Sequence, residues 1–334
     1  MTTDRRPRIV PADATGIAEA VALLRAGDIV AFPTETVYGL GGNALDPAAV
    51  ARIFEAKGRP AHNPLIVHLP DAAAARALAA SWPEQAERLG RRWWPGPLTL
   101  VLPRAACVPD IVTAGGPTVA LRVPAHPAAQ ALLRAAGVPL AAPSANRSGE
   151  VSPTTAAHVA RGLAGRIPLV LDGGATNVGI ESTVLDLSGP MPVLLRAGMI
   201  SRAELERDIG PVATPGRAER DEEPRPSPGM LDRHYAPRAP LHLLQSERDG
   251  GELARAVHAR GERVGAVTFG SPPPDADEVI LLPAEPEGYA RGLYGALHRL
   301  DELGVAVILA VTPPGEAQWD AVRDRLRRAA HHSP

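Results

Sequence analysis

Residues 211–240 (PVATPGRAERDEEPRPSPGMLDRHYAPRAP) hold seven prolines and a dense run of charges, a composition that suits neither a helix interior nor a sheet ladder. On both sides of this stretch the chain alternates helical and strand periodicities. The break therefore predicts three parts: a domain over 1–210, a Pro-rich linker over 211–240 and a second domain over 241–334. A length of 334 residues agrees, being long for one hydrophobic core.

In the first part, Ile17, Ala20, Val21 and Leu24 mark one face of a helix over Ala14–Arg25. A strand over Asp28–Phe32, a Gly-rich loop and a helix over Pro47–Lys57 are expected next. Further strands are predicted at Leu65–Leu69, Leu98–Leu102, Thr118–Val123, Leu140–Ala142, Leu169–Leu171, Ser182–Leu187 and Val193–Arg196. The last of these follow one another without helices between them, which argues for a mixed sheet. Past the linker, strands at Leu241–Leu244, Val264–Phe269, Val279–Leu282 and Val305–Val311 alternate with helices to about Arg260, over Tyr289–Leu303 and to about Arg328. That is a small Rossmann-like α/β domain, an architecture that implies no function by itself.

Composition excludes several classes. A single cysteine, Cys107, rules out an intrachain disulfide framework and any Cys-based metal site. No H-E-x-x-H or carboxylate cluster marks a metal cage, and neither a P-loop nor a strand-linked G-x-G-x-x-G is present. A formal net charge of −2 gives no long-range pull on nucleic acid, so no direct stable nucleic-acid binding is expected. The opening MTTDRRPRIV shows no apolar core after its arginines, and no apolar run nears the ~20 residues of a membrane span. A soluble, cytoplasmic protein is expected.

Of 35 basic residues, Lys57 alone is lysine and the other 34 are arginine. A compact ammonium does what a broad planar guanidinium cannot, such as meeting a phosphate as a point charge; compositional drift with one survivor is the bland alternative. Val50, Ile53, Phe54 and Lys57 share a helical stripe, so the ammonium leaves the helix on its core-facing side, and Gly58 is a natural stop. Arg59 lies two residues on, able to grip an anion from a second direction, against the bland reading of Lys57 as a helix-dipole partner. His68 ends the strand after Asn63; a lone strand histidine is more often structural.

Other polar sets recur at strand ends. Pro33–Gly42 (PTETVYGLGG) puts hydroxyls and glycines past a strand, suited to a small-molecule site or to plain helix capping by Thr34 or Thr36. Thr118, Ala120 and Arg122 fall on one face of a strand, opposite Val119, Leu121 and Val123; Arg122 can fork onto a carboxylate or sit on a solvated face. Ala142 precedes Ser144-Ala145-Asn146-Arg147-Ser148-Gly149, and Ser152-Pro153-Thr154 is expected to open a helix, an anion site or an ordinary cap. Asp172-Gly173-Gly174, Glu181-Ser182-Thr183 and Arg196 complete the set, and Tyr235 is an aromatic within charged linker.

At these residues the chain resembles the YrdC-like threonylcarbamoyl-AMP synthases in their two-domain form. PTETVYGLG, KGRPAHNPL with its downstream His68, SANRSG, ESTVLD, RAG and HYAP appear in family order. The resemblance implies a strongly curved mixed sheet whose concave face forms the pocket, with the linker crossing its mouth. It implies that L-threonine, bicarbonate (or CO2) and ATP, with Mg2+ held mainly by the ATP phosphates, give threonylcarbamoyl-AMP and pyrophosphate. A separate threonylcarbamoyl transferase complex then acts on tRNA. Carried onto matching positions, Thr36, His68, Arg122, the backbone at Ala142, and Ser182 hold threonine. Arg59, Asn63, Thr118, Ser144, Ser152, Arg196 and Tyr235 hold ATP, Lys57 stands near the phosphates, and Lys57 and Arg59 are the catalytic pair. The acidic insert near Arg217–Pro226 matches no motif.

The residue inventory offers cations and hydroxyls but no Ser-His-Asp or Cys-His constellation, so charge neutralisation rather than a covalent intermediate is expected. Tyr235 is expected to close over the adenylate and exclude water. Three rivals stand beside this, one of them a nucleotide-sensing regulator. Carbamoyl transfer for metallocluster maturation uses a similar domain but also Cys repeats that one cysteine cannot supply. A double-stranded RNA-binding module without catalysis would show salt-dependent binding and no ATP consumption.

Overall fold

The helix Pro47–Lys57 shows how local sequence sets the scaffold. Asp46 caps it by accepting from the Ala48 amide, proline occupies its first turn, and Gly58 ends it in the left-handed conformation at φ 60°. Its buried side includes Val50, Ile53, Phe54 and Lys57, the stripe expected from the spacing. The structure, a computed structural model, describes residues 6–60, 62–214 and 235–330. These divide into two compact units. The larger takes in the chain up to Ser148, Pro153–Asn177 and the stretch from Glu181 to residue 214. The smaller takes in Gly149–Ser152, Val178–Ile180 and the described chain from Tyr235 onward.

The larger unit is built on a ten-stranded mixed sheet. Its strands are β1 (Arg8–Pro11), β2 (Val30–Phe32), β3 (Gly39–Asn43), β4 (Ile66–His68), β5 (Leu98–Pro103), β6 (Thr118–Arg122), β7 (Leu140–Ala141), β8 (Leu169–Asp172), β9 (Thr183–Asp186) and β10 (Val193–Arg196). Their order is β1-β8-β2-β3-β7-β4-β6-β5-β9-β10. Parallel pairs such as β4–β6 and β5–β9 adjoin antiparallel ones such as β5–β6 and β9–β10, as the strand succession predicted.

Period-two alternation assigns the two faces of this sheet. Val67, Leu100, Leu121 and Leu185 point into the main core with Ile53, Phe54, Leu89 and Val112. On the other face, over β8, β2 and β7, Leu171, Phe32 and Leu140 pack against Val21 and Leu24 of the helix Ala14–Arg25 and Leu132 and Leu133 of the helix Pro127–Ala136. Farther along that second face the helical cover stops. Ile66, Ala120, Val101 and Val184 form a small apolar cluster of their own, in which no helix residue takes part among those described.

Two segments depart from the sequence expectation. Gly39–Asn43, expected within a loop, is strand β3, antiparallel to β2. A Cβ at Gly41 would sit 2.7 Å from Cε1 of Phe32, so the glycines leave room for an aromatic ring lying across the strand, a requirement that composition alone disguises as loop. The segment Arg8–Pro11, assigned no structure from sequence, pairs in parallel with β8 as the edge strand; at four residues it is too short for periodicity to reveal. Of the 211–240 stretch, Ala213 exchanges backbone hydrogen bonds with Leu194 and Pro192, and residues 215–234 lie outside the described residues.

In the smaller unit β11 (Leu241–Leu244), β12 (Val264–Thr268), β13 (Glu278–Leu281) and β14 (Val307–Val311) make a parallel sheet in the order β11-β14-β12-β13. Helices Gly251–His258, Pro286–Leu303 and Asp320–Ala330 accompany it, each near its predicted place.

The RAG motif has a packing reason. A Cβ at Gly198 would fall 2.3 Å from the Thr183 amide nitrogen, a backbone atom with nowhere to go. Gly198→Ala should therefore cost about 1–3 kcal/mol in urea unfolding, the usual price of overpacking. A native-like midpoint would show that β9 yields.

Candidate active site

Strand register gathers several of the candidate residues on the second face. His68 on β4 pairs with Arg122 on β6, and Arg122 pairs in turn with Thr99 on β5. Thr99 Oγ1 lies 2.8 Å from Ser182 Oγ, and Arg196 donates through Nη2 to that hydroxyl at 3.0 Å and through Nε to the Ser182 carbonyl at 3.0 Å. Ala142 joins from the β7 side, its amide donating to Ile66 O at 2.9 Å. Arg122 is 4% exposed, so the solvated-face reading of this arginine fails; its Nη2 meets Glu35 Oε1 at 2.7 Å.

His68 is buried, with Nδ1 lacking a hydrogen-bond partner and its ring edge-on to Phe32 at 6.1 Å. Burial, and then the neighbouring Arg122 charge, pushes its pKa down to about 3, so the imidazole is neutral at ordinary pH. Thr36 is fully buried in the turn between β2 and β3, where Thr34 Oγ1 accepts from the Thr36 and Val37 amides at 3.2 Å and donates to the Val37 carbonyl at 2.6 Å. That is a side-chain turn joining two strands, and neither threonine caps a helix.

A second group forms around Lys57. Its ammonium donates to the carbonyls of Ser144 and Asn146, each at 2.5 Å, and its own carbonyl accepts from the Ser148 amide at 2.9 Å. The buried ammonium thus sits as a compact donor between two converging backbone carbonyls. Ser144 is half-buried and bridged to Gly39, which ties the loop to β3. Arg59 is buried and donates to Asn63 O at 3.2 Å and Pro64 O at 3.0 Å, folding its own loop, while Asn63 Nδ2 is buried without a partner. Thr118 opens β6 at the far end from Arg122 and is half-buried.

Ser152 and Tyr235 fall in the smaller unit. Ser152 does not open a helix: the next one, Ala156–Gly162, is capped by Thr155. Instead the Ser152 carbonyl lies 3.2 Å from His298 Nε2. Tyr235 is 1% exposed at a left-handed φ of 61°, its ring 5.8 Å from that of Tyr294 and under the Arg325 guanidinium at 5.3 Å.

Residues 22–198 match the sequence family described as "Telomere recombination", and residues 200–331 the one described as "Threonylcarbamoyl-AMP synthase, C-terminal domain". A threonylcarbamoyl-AMP synthase of Pyrococcus abyssi (strain GE5 / Orsay) is 47% identical over 317 residues, 93% of each chain. The chain belongs to the threonylcarbamoyl-AMP synthase family. Its counterpart in Bacillus subtilis (strain 168) is 47% identical over 323 residues, 94% of this chain and 92% of that one. The crystal structure of P. abyssi Sua5 complexed with L-threonine superposes with a TM-score of 0.90 at 45% identity, covering 97% of both chains. As a threonylcarbamoyl-AMP synthase the protein is an enzyme, a transferase of tRNA modification, and the RNA-binding alternative finds no support in these relatives.

Sequence reasoning missed three groups in the synthase. Thr99 was overlooked inside an apolar strand, although a lone hydroxyl among Leu98, Leu100, Val101 and Leu102 is itself a period-two signal. Glu35 was read only as part of its motif, yet its carboxylate also accepts from the Ala125 amide at 3.0 Å. Tyr38 donates to the Gly174 carbonyl at 2.7 Å, and burial, then the Asp172 charge, raises its pKa, so it stays a phenol.

The depressed pKa of His68 has a sign. Its folded value lies below the ordinary ~6.5, so as pH falls the unfolded chain takes the proton first, and stability is lost from about pH 6.5 down toward 3. Urea unfolding should show that His68→Gln flattens this slope by up to ~1.4 kcal/mol per pH unit. An unchanged slope would mean the imidazole is protonated in the folded protein.

Proposed function

We propose that the enzyme condenses L-threonine, bicarbonate or CO2 and ATP into L-threonylcarbamoyl-AMP and pyrophosphate, and hands the product to a separate transferase complex that modifies tRNA in the cytoplasm. The observation that carries this is the charge of the buried site. The larger unit buries four cations, Lys57, Arg59, Arg122 and Arg196, against two carboxylates, Glu35 and Glu181, among the described residues. Positive charge held out of water favours anionic ligands, and this reaction brings two together. Among the described residues no helix is long and apolar enough to cross a membrane.

In this reading threonine lies over the His68–Arg122–Thr99 row. Arg122 takes its carboxylate, Ser182 and Thr36 offer hydroxyls, Ala142 lends backbone, and neutral His68 adds a nitrogen without adding charge beside Arg122. In the larger unit ATP is assigned to Arg59, Asn63, Thr118, Ser144 and Arg196, with Lys57 near its phosphates and Lys57 and Arg59 acting in catalysis. The neutral threonine amine adds to the carbon of CO2, one C=O π pair moves onto oxygen and an N–H proton passes to water, leaving a carbamate. With bicarbonate the same condensation releases water instead. A carbamate oxygen then attacks the α-phosphorus, the bond to the β-phosphate oxygen breaks, and pyrophosphate leaves. No side chain forms a covalent bond in this scheme; the cations lower the repulsion between carbamate and phosphate.

Magnesium is proposed as a passenger of the nucleotide. Among the described residues no group of three His, Cys, Asp or Glu side chains is placed to hold a metal ion, and the Glu35 carboxylate is engaged by Arg122 and the Ala125 amide. The described residues do not make a protein-built magnesium site, so the ion is assigned to the nucleotide's phosphates.

Pyrophosphate release from ATP tests the proposal. Release should require both an amino acid and bicarbonate, with threonine the best substrate, and no radiolabelled adenylyl or threonyl group should stay on denatured protein. Release that is indifferent to threonine, or a trapped adduct, would overturn it.

A further inference from the structure

Glu35 has no part in the scheme above, yet it is one of only two carboxylate residues buried in the larger unit among those described. Its position is fixed from both ends. Oε1 takes the 2.7 Å bond from Arg122 Nη2, and Oε2 accepts from the Ala125 amide at 3.0 Å. The backbone on either side of it is locked by the Thr34 turn, so Glu35 has little freedom to follow a moving partner. Arg122 depends on this anchor. Its other contact, Nε to the Gly96 carbonyl, is long at 3.4 Å, and an arginine side chain turns about four torsions unless something holds it.

We propose that Glu35 is a positioning residue for amino-acid binding: by holding Nη2 it aims the remaining edge of the Arg122 guanidinium at the carboxylate of threonine. A guanidinium carries five N–H groups in one plane, and an acceptor fixed at one corner sets the direction of the others. Among the described residues Nη1 donates to no protein group, which leaves that edge for a ligand. Glu35 also balances the Arg122 charge before the ligand arrives, so the arginine is not left buried and unpaired in the empty site. The inference rests on the proposal that threonine binds at Arg122.

Calorimetric binding of L-threonine and, separately, of ATP to the full chain tests it, with unfolding midpoints recorded for each variant. Glu35→Gln preserves size but lacks the charge, and one amide cannot accept from both Arg122 and Ala125. It should weaken threonine binding by about tenfold or more, the scale of one charge-assisted hydrogen bond, and leave ATP affinity within about twofold. Because both residues act through one guanidinium, Glu35→Gln combined with Arg122→Lys should bind threonine no worse than Arg122→Lys alone. If Glu35→Gln does not fold, Glu35→Asp, which keeps charge and shortens reach, should show the same selective loss. Native threonine affinity in the Glu35 variant, with only a lowered midpoint, would reduce the pair to a structural ion pair and overturn the inference. Native affinity in Arg122→Lys as well would remove threonine from this face altogether and take the inference with it.

Discussion

Burying positive charge is the constraint to which the larger unit answers. Four cationic side chains lie out of water there, and each needs acceptors close by or the unit would not fold. Lys57 and Arg59 rest on backbone carbonyls, Arg196 on the carbonyl and hydroxyl of Ser182, and Arg122 on Glu35. A carbonyl satisfies an N–H without cancelling its charge, whereas a carboxylate does both. Glu35 is thus a counter-charge as well as an acceptor for Arg122.

The sheet makes this arrangement possible because its two faces are used unequally. One face is filled with aliphatic side chains along its length. The other is covered by two helices over β8, β2 and β7 and then carries a small apolar floor with polar groups around it. Antiparallel and parallel registers align His68, Arg122 and Thr99 in one row, so residues far apart in sequence share one surface. Catalytic chemistry needs fixed groups more than flexible ones, and a strand row is among the stiffest places to put them.

Much of this was legible in the chain, for reasons that differ from residue to residue. The helix ending in Lys57 was plain because its cap, stripe and glycine stop all agree. That Thr118, Ala120 and Arg122 share a face was legible from period two, but not that this face is buried, because β6 is covered on both sides. Strand β3 was hidden because its glycines serve Phe32, a neighbour that sequence distance does not reveal. The motif order gave the family, but not why its residues recur. Glycine at 198 yields space to β9, and lysine at 57 meets two carbonyls; both contacts are tertiary.

The double attachment of Lys57 has a mechanical side. The residue grips the 144–148 loop through its ammonium and, by its carbonyl, through the Ser148 amide, so the end of the Pro47–Lys57 helix and that loop are riveted at two points. A ligand that drew the ammonium toward itself would have to loosen the first rivet while the second held. Competition for that ammonium is therefore felt at the carbonyls of Ser144 and Asn146, the acceptors it would leave behind.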